Sequence, residues 1–277
     1  MVQAGDDGLM VELSLFARDL PETDRFSSSD PFCVVLLDNP TAPITLGRTE
    51  TVWDEPNPDF TRKIEIPYRT VKERPVRCII QVFDNDAWRK KKSNEDAVSA
   101  SYLKKQNYIG EAAVDIAKLA DGFPNFEKVG LENGIGSIIV HARKKEKFDK
   151  AQKHVHVQLS HNGNMKQRKK LFVTVSRELG SSLVGPRWTP VWRSEVCPNN
   201  SGLIEFGSCF IDDYEGLRLE LHEYKRKGGH VNLINCAIPW GDEATSDLTY
   251  CPGSGISQGS LVIDQQTSHT AKCRFIV

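Results

Sequence analysis

Apolar and polar residues alternate in short runs along almost the whole of this 277-residue chain. Period-two runs rich in β-branched and aromatic residues fall at 11–17, 32–37, 45–53, 62–68, 76–83, 108–116 and 136–143. Alternation of that period puts one side of an extended backbone in a core and the other in solvent, which is a strand pattern. Turn chemistry separates the runs: Asp30-Pro31, Asp38-Asn39-Pro40, Pro56-Asn57-Pro58 and Glu132-Asn133-Gly134. Only 114–119 reads as a short helical turn. A charged stretch, Lys144-Lys145-Glu146-Lys147-Phe148-Asp149-Lys150, reads as a solvated connection. The rhythm then restarts at 155–159, 171–175, 190–196, 203–211, 217–224, 231–238 and 260–264. The expected fold is all-β, two antiparallel sandwiches in tandem, with domains at 1–148 and 149–277 and a similar order of features in each half.

Several function classes fall away. A formal net charge of −1 gives no basic face of the kind a nucleic-acid binder needs. The first residues lack a cationic start followed by an apolar run, and no stretch is apolar for long enough to span a bilayer. A cytoplasmic protein that meets membranes reversibly is the expectation. Seven cysteines lie far apart without a C-x-x-C pair, most inside β-like runs, as buried thiols would in a reducing compartment. Gly255-Ile256-Ser257-Gln258-Gly259 matches an esterase string, but it needs a strand before it and a helix after it. A Pro252-Gly253-Ser254 loop precedes it and a strand-like run follows. No enzyme is expected.

The first half carries a pattern of acids. Asp24 and Asp30 share a polar segment between two strands, and Asp84 and Asp86 close another strand far along the chain. Alternate residues of a strand face one side, so Asp84 and Asp86 point together. If both segments lie at one end of a sandwich, four carboxylates converge. At ~4 Å and an effective dielectric near 20, each like-charge pair costs about 4 kcal/mol. A hard divalent cation with oxygen ligands relieves that repulsion, and loop carboxylates with carbonyls and water suit Ca²⁺ better than the stricter octahedron of Mg²⁺.

Asp24 and Asp30-Pro31-Phe32, then Asn57-Pro58-x-Phe60, Phe83-Asp84-x-Asp86 and Ile109-Gly110-Glu111, taken in that order, resemble the C2 domain pattern. The arrangement is similar in particular to the tandem C2 region of copines. The resemblance implies two eight-stranded antiparallel C2-type sandwiches, with Ca²⁺ held by Asp24, Asp30, Asp84 and Asp86. It also implies backbone carbonyl ligands at Arg25 and Asn85. The family's fifth aspartate falls on Asn107, a neutral oxygen, and a long insertion at 87–106 leaves open whether Asn107 reaches the site. The chain ends where, by the same resemblance, a von Willebrand factor A domain would begin.

The insertion carries Trp88, Arg89, Lys90, Lys91 and Lys92, then Tyr102-Leu103 with Lys104 and Lys105. Beside a cation site, this mixture of aromatic and basic side chains suits an anionic phospholipid membrane, each base contributing about 1 kcal/mol near the surface. The expected mechanism is an electrostatic switch: acids repel anionic headgroups until Ca²⁺ neutralises them, and the protein then docks peripherally, at the plasma membrane or another membrane, when calcium rises. The alternative is a Ca²⁺-independent protein scaffold built on the same sandwiches.

The second half resembles the second copine C2 module but lacks the acids. Glu178-Leu179-Gly180-Ser181-Ser182 holds no aspartate, and Glu223 and Lys225 stand where the paired aspartates would be. A lysine there excludes a cation. Lys166, Arg168, Lys169 and Lys170, with Lys225, Arg226 and Lys227, read as solvated runs whose candidate partner is acidic lipid or the acidic surface of a target protein.

Overall fold

The computed structural model describes residues 8–21, 28–72, 77–85, 98–122, 125–146, 152–160, 170–179, 187–198, 203–212, 216–238, 245–246, 249–250, 260–266 and 270–276. The chain divides into two compact units, one of residues 1–149 with 226–229, the other of residues 150–225 with 230–277.

In the first unit the strands are β1 (Leu9–Arg18), β2 (Pro31–Leu37), β3 (Ile44–Arg48), β4 (Ile64–Pro67), β5 (Arg77–Asp84), β6 (Asn107–Asp115), β7 (Phe126–Gly130) and β8 (Ser137–Glu146). Three short helices join them: α1 (Tyr68–Lys72), α2 (Ala100–Leu103) and α3 (Ile116–Asp121). The strands form two antiparallel sheets, in the orders β4-β1-β8-β7 and β3-β2-β5-β6. Their facing sides enclose one core. Val11, Leu13 and Leu15 of β1 meet Cys33, Val35 and Leu37 of β2 and Cys78, Ile80 and Val82 of β5 there. Each such side chain, fully withdrawn from water, contributes on the order of 1.5–3 kcal/mol.

Two expectations change here. Lys144 and Lys145 belong to β8 and are no solvated connection. Lys145 pairs with Glu12 at 3.6 Å and with Glu65, while Lys144 pairs with Asp121. Opposite charges on neighbouring strands let a charged sequence continue the ladder. The insertion, in turn, is folded at its end. Ser99 caps α2 by accepting from the Tyr102 amide, and Tyr102, Leu103 and Val98 pack on a second apolar cluster of Phe32, Val34 and Phe83. That cluster lies on the outer side of β2, opposite its core residues.

In the second unit the strands are β9 (Gln152–Ser160), β10 (Lys170–Glu178), β11 (Trp188–Arg193), β12 (Cys197–Pro198), β13 (Leu203–Asp212), β14 (Leu217–Glu223), β15 (Val231–Ile238), β16 (Thr245–Ser246), β17 (Thr249–Tyr250), β18 (Ser260–Gln266) and β19 (Thr270–Ile276). One sheet runs β11-β10-β14-β15-β17 with β12 beside β10; the other runs β13-β9-β19-β18-β16. With the two-residue strands β12, β16 and β17 set aside, the strand orders of the first unit recur position by position. One pairing departs from the antiparallel pattern: β19 lies parallel to β9. More than a hundred residues of chain separate these two strands, and no hairpin fixes their relative direction. Val155, Val157, Leu159, Val173, Val175, Leu219, Cys273 and Phe275 are among its core residues. The described cysteines are free thiols, all buried but the half-buried Cys197, and burial pushes Cys33 and Cys78 up from the ordinary thiol range.

Candidate cation site

The site end of the first unit is fixed by strand register. β2 starts at Pro31 opposite Asp84, the last residue of β5, and Asp84 in turn faces Asn107, the first residue of β6. The ladder thus brings Asp30, Asp84 and Asn107 to one end of one sheet. The Asp30 amide donates to Asp84 Oδ1 at 2.6 Å, and the Asn85 amide donates to the Asp30 carbonyl at 3.0 Å. Asp84 and Asn85 are buried. The insertion does not carry Asn107 away, because its own end is tied down by α2.

The segment between β3 and β4 closes the arrangement from the side. The Asp54 amide donates to Asp30 Oδ1 at 2.7 Å, and the Glu55 amide to the Ser29 carbonyl at 3.1 Å. Asp54 takes a φ of 53°, the left-handed region in which a non-glycine residue is uncommon and costs on the order of 1 kcal/mol. That turn aims its amide at Asp30. Thr51 Oγ1 accepts from Asn85 Nδ2 at 3.1 Å and from Arg48 Nη2 at 3.2 Å. Asp54 and Thr51 carry no signal in the acid pattern, and only the fold reveals their part.

The Asn57-Pro58-x-Phe60 motif has a structural task at this end. Asn57 Oδ1 accepts from the Asp19 amide at 2.8 Å, the Pro58 carbonyl accepts from Ala17, and the Phe60 ring is fully buried. The Ile109-Gly110-Glu111 motif does the same for the β7–β8 turn. A side chain on Gly110 would crowd Asn133 and Leu131 at 3.2 Å, the Glu132 amide donates to the Glu111 carbonyl at 3.0 Å, and Asn133 Nδ2 donates to the Ile109 carbonyl. Tyr108, beside Asn107, is exposed, yet partial desolvation, then its hydrogen bond to Glu111 and the charges of Glu111 and Glu132, push its hydroxyl up to about 12.

Asp24, Arg25, Asp86, Trp88, Arg89, Lys90, Lys91, Lys92, Lys166, Arg168 and Lys169 lie outside the described residues, as does the string at 255–259. Among the described residues, no three acids, histidines or cysteines stand together as a metal-binding group. The described pair, Asp30 and Asp84, fits a hard cation in its chemistry. Two acids from stretches far apart in sequence stand at one strand end beside backbone carbonyls, and carboxylate and carbonyl oxygens are the donors such a cation takes.

The insertion residues divide. Lys104 and Lys105 are exposed. Tyr102 and Leu103, expected at a membrane interface, cover the sheet instead: the Tyr102 ring lies 6.3 Å from Phe32, and the Arg48 guanidinium stacks 3.8 Å over Phe32 and 5.5 Å from Tyr102. Arg48 is 3% exposed, and its desolvated charge makes those ring faces favourable partners.

The same sheet side in the second unit carries a different set. Phe172 of β10 stacks on His222 of β14 at 4.7 Å, His230 meets Phe172 edge-on at 5.2 Å, and Arg193 lies 5.6 Å over Phe172. Burial, then the charges of Arg193, His230 and Arg218, lower the His222 pKa to about 3. Lys225 forms an ion pair with Glu223, its amide donates to His230 Nδ1 at 3.1 Å, and Lys170 sits 5.9 Å from the Tyr224 ring. Arg226 and Lys227, which group with the first unit, are exposed.

The model of the C2 domain family matches residues 12–128, which lie within the first unit. Among individual proteins, the chain is 26% identical over 166 residues to nicotinic receptor-associated protein 1 of Caenorhabditis briggsae, covering 51% of this chain and 26% of that protein. It spans about a quarter of the length of this curated relative. Solved structures similar to it include BON1-C2B, at 20% identity and a TM-score of 0.36 over 53% of this chain and 99% of the other. The calcium-bound pair of C2 domains of extended synaptotagmin 2 aligns at 14% identity and a TM-score of 0.33, over 84% of each chain. No described helix is long and apolar enough to cross a membrane.

Proposed function

We propose that the first unit is a Ca²⁺-dependent docking module for anionic phospholipid membranes, acting peripherally and reversibly in the cytoplasm. Asp24, Asp30, Asp84 and Asp86 would hold the ion, with Asn107 and the carbonyls of Arg25 and Asn85 completing its oxygen shell. The bound ion supplies positive charge at an acidic end and open positions for headgroup oxygens. The observation that carries this reading is the meeting of Asp30 and Asp84, 54 residues apart, through a 2.6 Å amide–carboxylate bond. Two acids brought to one strand end favour a cation as a partner. Lys104 and Lys105, with Trp88, Arg89, Lys90, Lys91 and Lys92, supply the basic neighbourhood.

The order of motifs along the chain supports a copine-like tandem in which 149–277 is a second C2 module with a degenerate cation site. There the Glu223–Lys225 ion pair occupies the place of paired aspartates with an internal cation. This favours Ca²⁺-independent binding of acidic lipid or an acidic protein surface by Lys166, Arg168, Lys169, Lys170, Lys225, Arg226 and Lys227. Co-sedimentation of the full chain with phosphatidylcholine–phosphatidylserine vesicles separates the two contributions. Pelleting that rises with Ca²⁺ and falls back with chelator supports the switch; equal pelleting in both conditions leaves the scaffold reading in its place.

A further inference from the structure

Two edge strands in equivalent places are finished differently. β4 of the first unit and β13 of the second each end the sheet that carries β1 or β9. β4 has four residues, closes on Pro67, runs straight into α1 and places Glu65 against Lys145. A short strand, a proline and charges on the outer row are devices by which an edge avoids pairing with another chain. β13 has ten residues with no proline and no lysine, and among the described residues it pairs with β9 alone.

The two halves of β13 differ. Its register shifts between Glu205 and Gly207, where Gly207 takes a φ of +98°. Before that bulge the connection from β12 closes in: the Cys197 thiol donates to the Glu205 carbonyl at 3.8 Å. After it, Gly207 to Asp212 follow Val157 to Gln152 without a further break. Along this stretch Cys209 and Ile211 point into the core, Ser208 is exposed and Phe210 is 70% exposed. The Phe210 ring lies 4.7 Å from His154 of β9, and His156 on the same side of β9 bonds Glu205 at 2.8 Å. Gly207-Ser208-Cys209-Phe210-Ile211 contains no charge. A neutral strand edge with a large ring beside it invites a further strand.

We propose that the 207–211 stretch of β13 pairs antiparallel with the same stretch of a second copy of this chain, about a two-fold axis at Cys209. The stretch is complementary to itself. Cys209 faces its counterpart, Ser208 faces Phe210 and Gly207 faces Ile211, so residues of the same sheet side always meet. The two Phe210 rings then stand on one diagonal across the axis, within the reach of aromatic side chains. No charge meets its like, and none is present to select a foreign strand in place of the chain's own. A closed two-fold uses up the edge. The sheet's other edge, the two-residue β16, is too short to carry the array on. A pairing this short buries less than the roughly 1,000 Å² typical of a stable interface, so the dimer is weak and reversible.

The test is sedimentation equilibrium of the full chain, with reductant and without lipid or Ca²⁺, over a concentration series that reaches several hundred micromolar. Wild type passes from monomer toward dimer with a dissociation constant on the order of 100 µM. Phe210→Lys removes both rings and sets two like charges across the axis, which weakens association about tenfold or more. Ser208→Lys keeps the rings and weakens it severalfold. Ile44→Lys, at a 48% exposed position on the first unit's edge strand β3, leaves it unchanged. All three positions are exposed, so the melting temperature at the lowest concentration stays at the wild-type value. Hydrogen exchange at the 207–211 amides slows as wild type is concentrated and not in Phe210→Lys, a signature that unspecific adhesion of the ring does not produce. Wild type that stays monomeric throughout leaves this edge to a foreign strand and overturns the proposal. A dimer that both lysine variants on β13 leave within twofold of wild type overturns it as well.

Discussion

The outer sides of β2 in the first unit and β10 in the second occupy equivalent places in the same strand order, and they are finished in opposite ways. In β2 the outward residues Phe32 and Val34 are apolar and lie under α2, with Arg48 buried between rings. In β10 the outward residues Phe172, Thr174 and Ser176 share their surface with His222, Arg193, Arg218 and Glu220. The first unit gives its insertion to closing that side and keeps its chemistry at the strand ends, where Asp30 and Asp84 meet. The second lacks paired aspartates at the strand end and places cations and aromatic rings across the sheet. On one strand order, acids gather at a strand end in one unit and cations with aromatic rings lie across a sheet side in the other, and side chains on a fixed scaffold decide which.

The contrast breaks most sharply at Asp84. Asp84→Asn keeps an oxygen for the Asp30 amide but removes a negative charge, so Ca²⁺-dependent vesicle binding falls on the order of 10²-fold while Ca²⁺-independent binding is unaffected. Co-sedimentation across a Ca²⁺ series measures both. Next comes the cap. Tyr102→Ala removes a ring from Phe32 and Arg48 and lowers stability by about 1–2 kcal/mol in urea unfolding. Equal stability would mean that α2 adds nothing to the sheet.

His222 sharpens the comparison from the other side. An unfolded histidine binds its proton near pH 6.5, whereas His222 stays neutral until about pH 3. Between those values the unfolded chain holds the extra proton, so stability is full above pH 6.5 and falls as pH drops, by up to about 1.4 kcal/mol per unit. Thermal unfolding of His222→Gln between pH 4 and 7 therefore shows a shallower decline than wild type. The smallest effect belongs to the exposed bases. Arg226→Gln weakens Ca²⁺-independent binding to anionic vesicles about fivefold, as loss of one charge worth about 1 kcal/mol would, with no change in the Ca²⁺ midpoint.

Much of this was legible in the residues. Alternation at 11–17 and 171–175 marks β1 and β10, although the structure buries both sides of each strand there. β7 and β19 went unread: Phe126-Glu127-Lys128-Val129-Gly130 is short and charged and takes its place from β8, not from its own pattern. The unbroken apolar run Phe32-Cys33-Val34-Val35-Leu36-Leu37 held a signal that alternation alone obscures, since a strand apolar on both sides needs a cover on both. That cover is α2, from a segment whose polar start conceals it. At the site, the pairing of Asp30 with Asp84 follows from two sequence motifs. The roles of Asp54 and Thr51 do not, because one acts through a backbone amide and the other through a hydroxyl that any loop would contain.

The most direct test of the account is a calorimetric titration of Ca²⁺ into the full chain without lipid, beside the double variant Asp30→Asn, Asp84→Asn. Saturable heat with wild type, accompanied by a raised melting temperature and absent from the variant, is the predicted result. A wild-type titration with neither heat nor stabilisation, or a variant that binds as well, would contradict the claim that these acids are gathered to hold a cation.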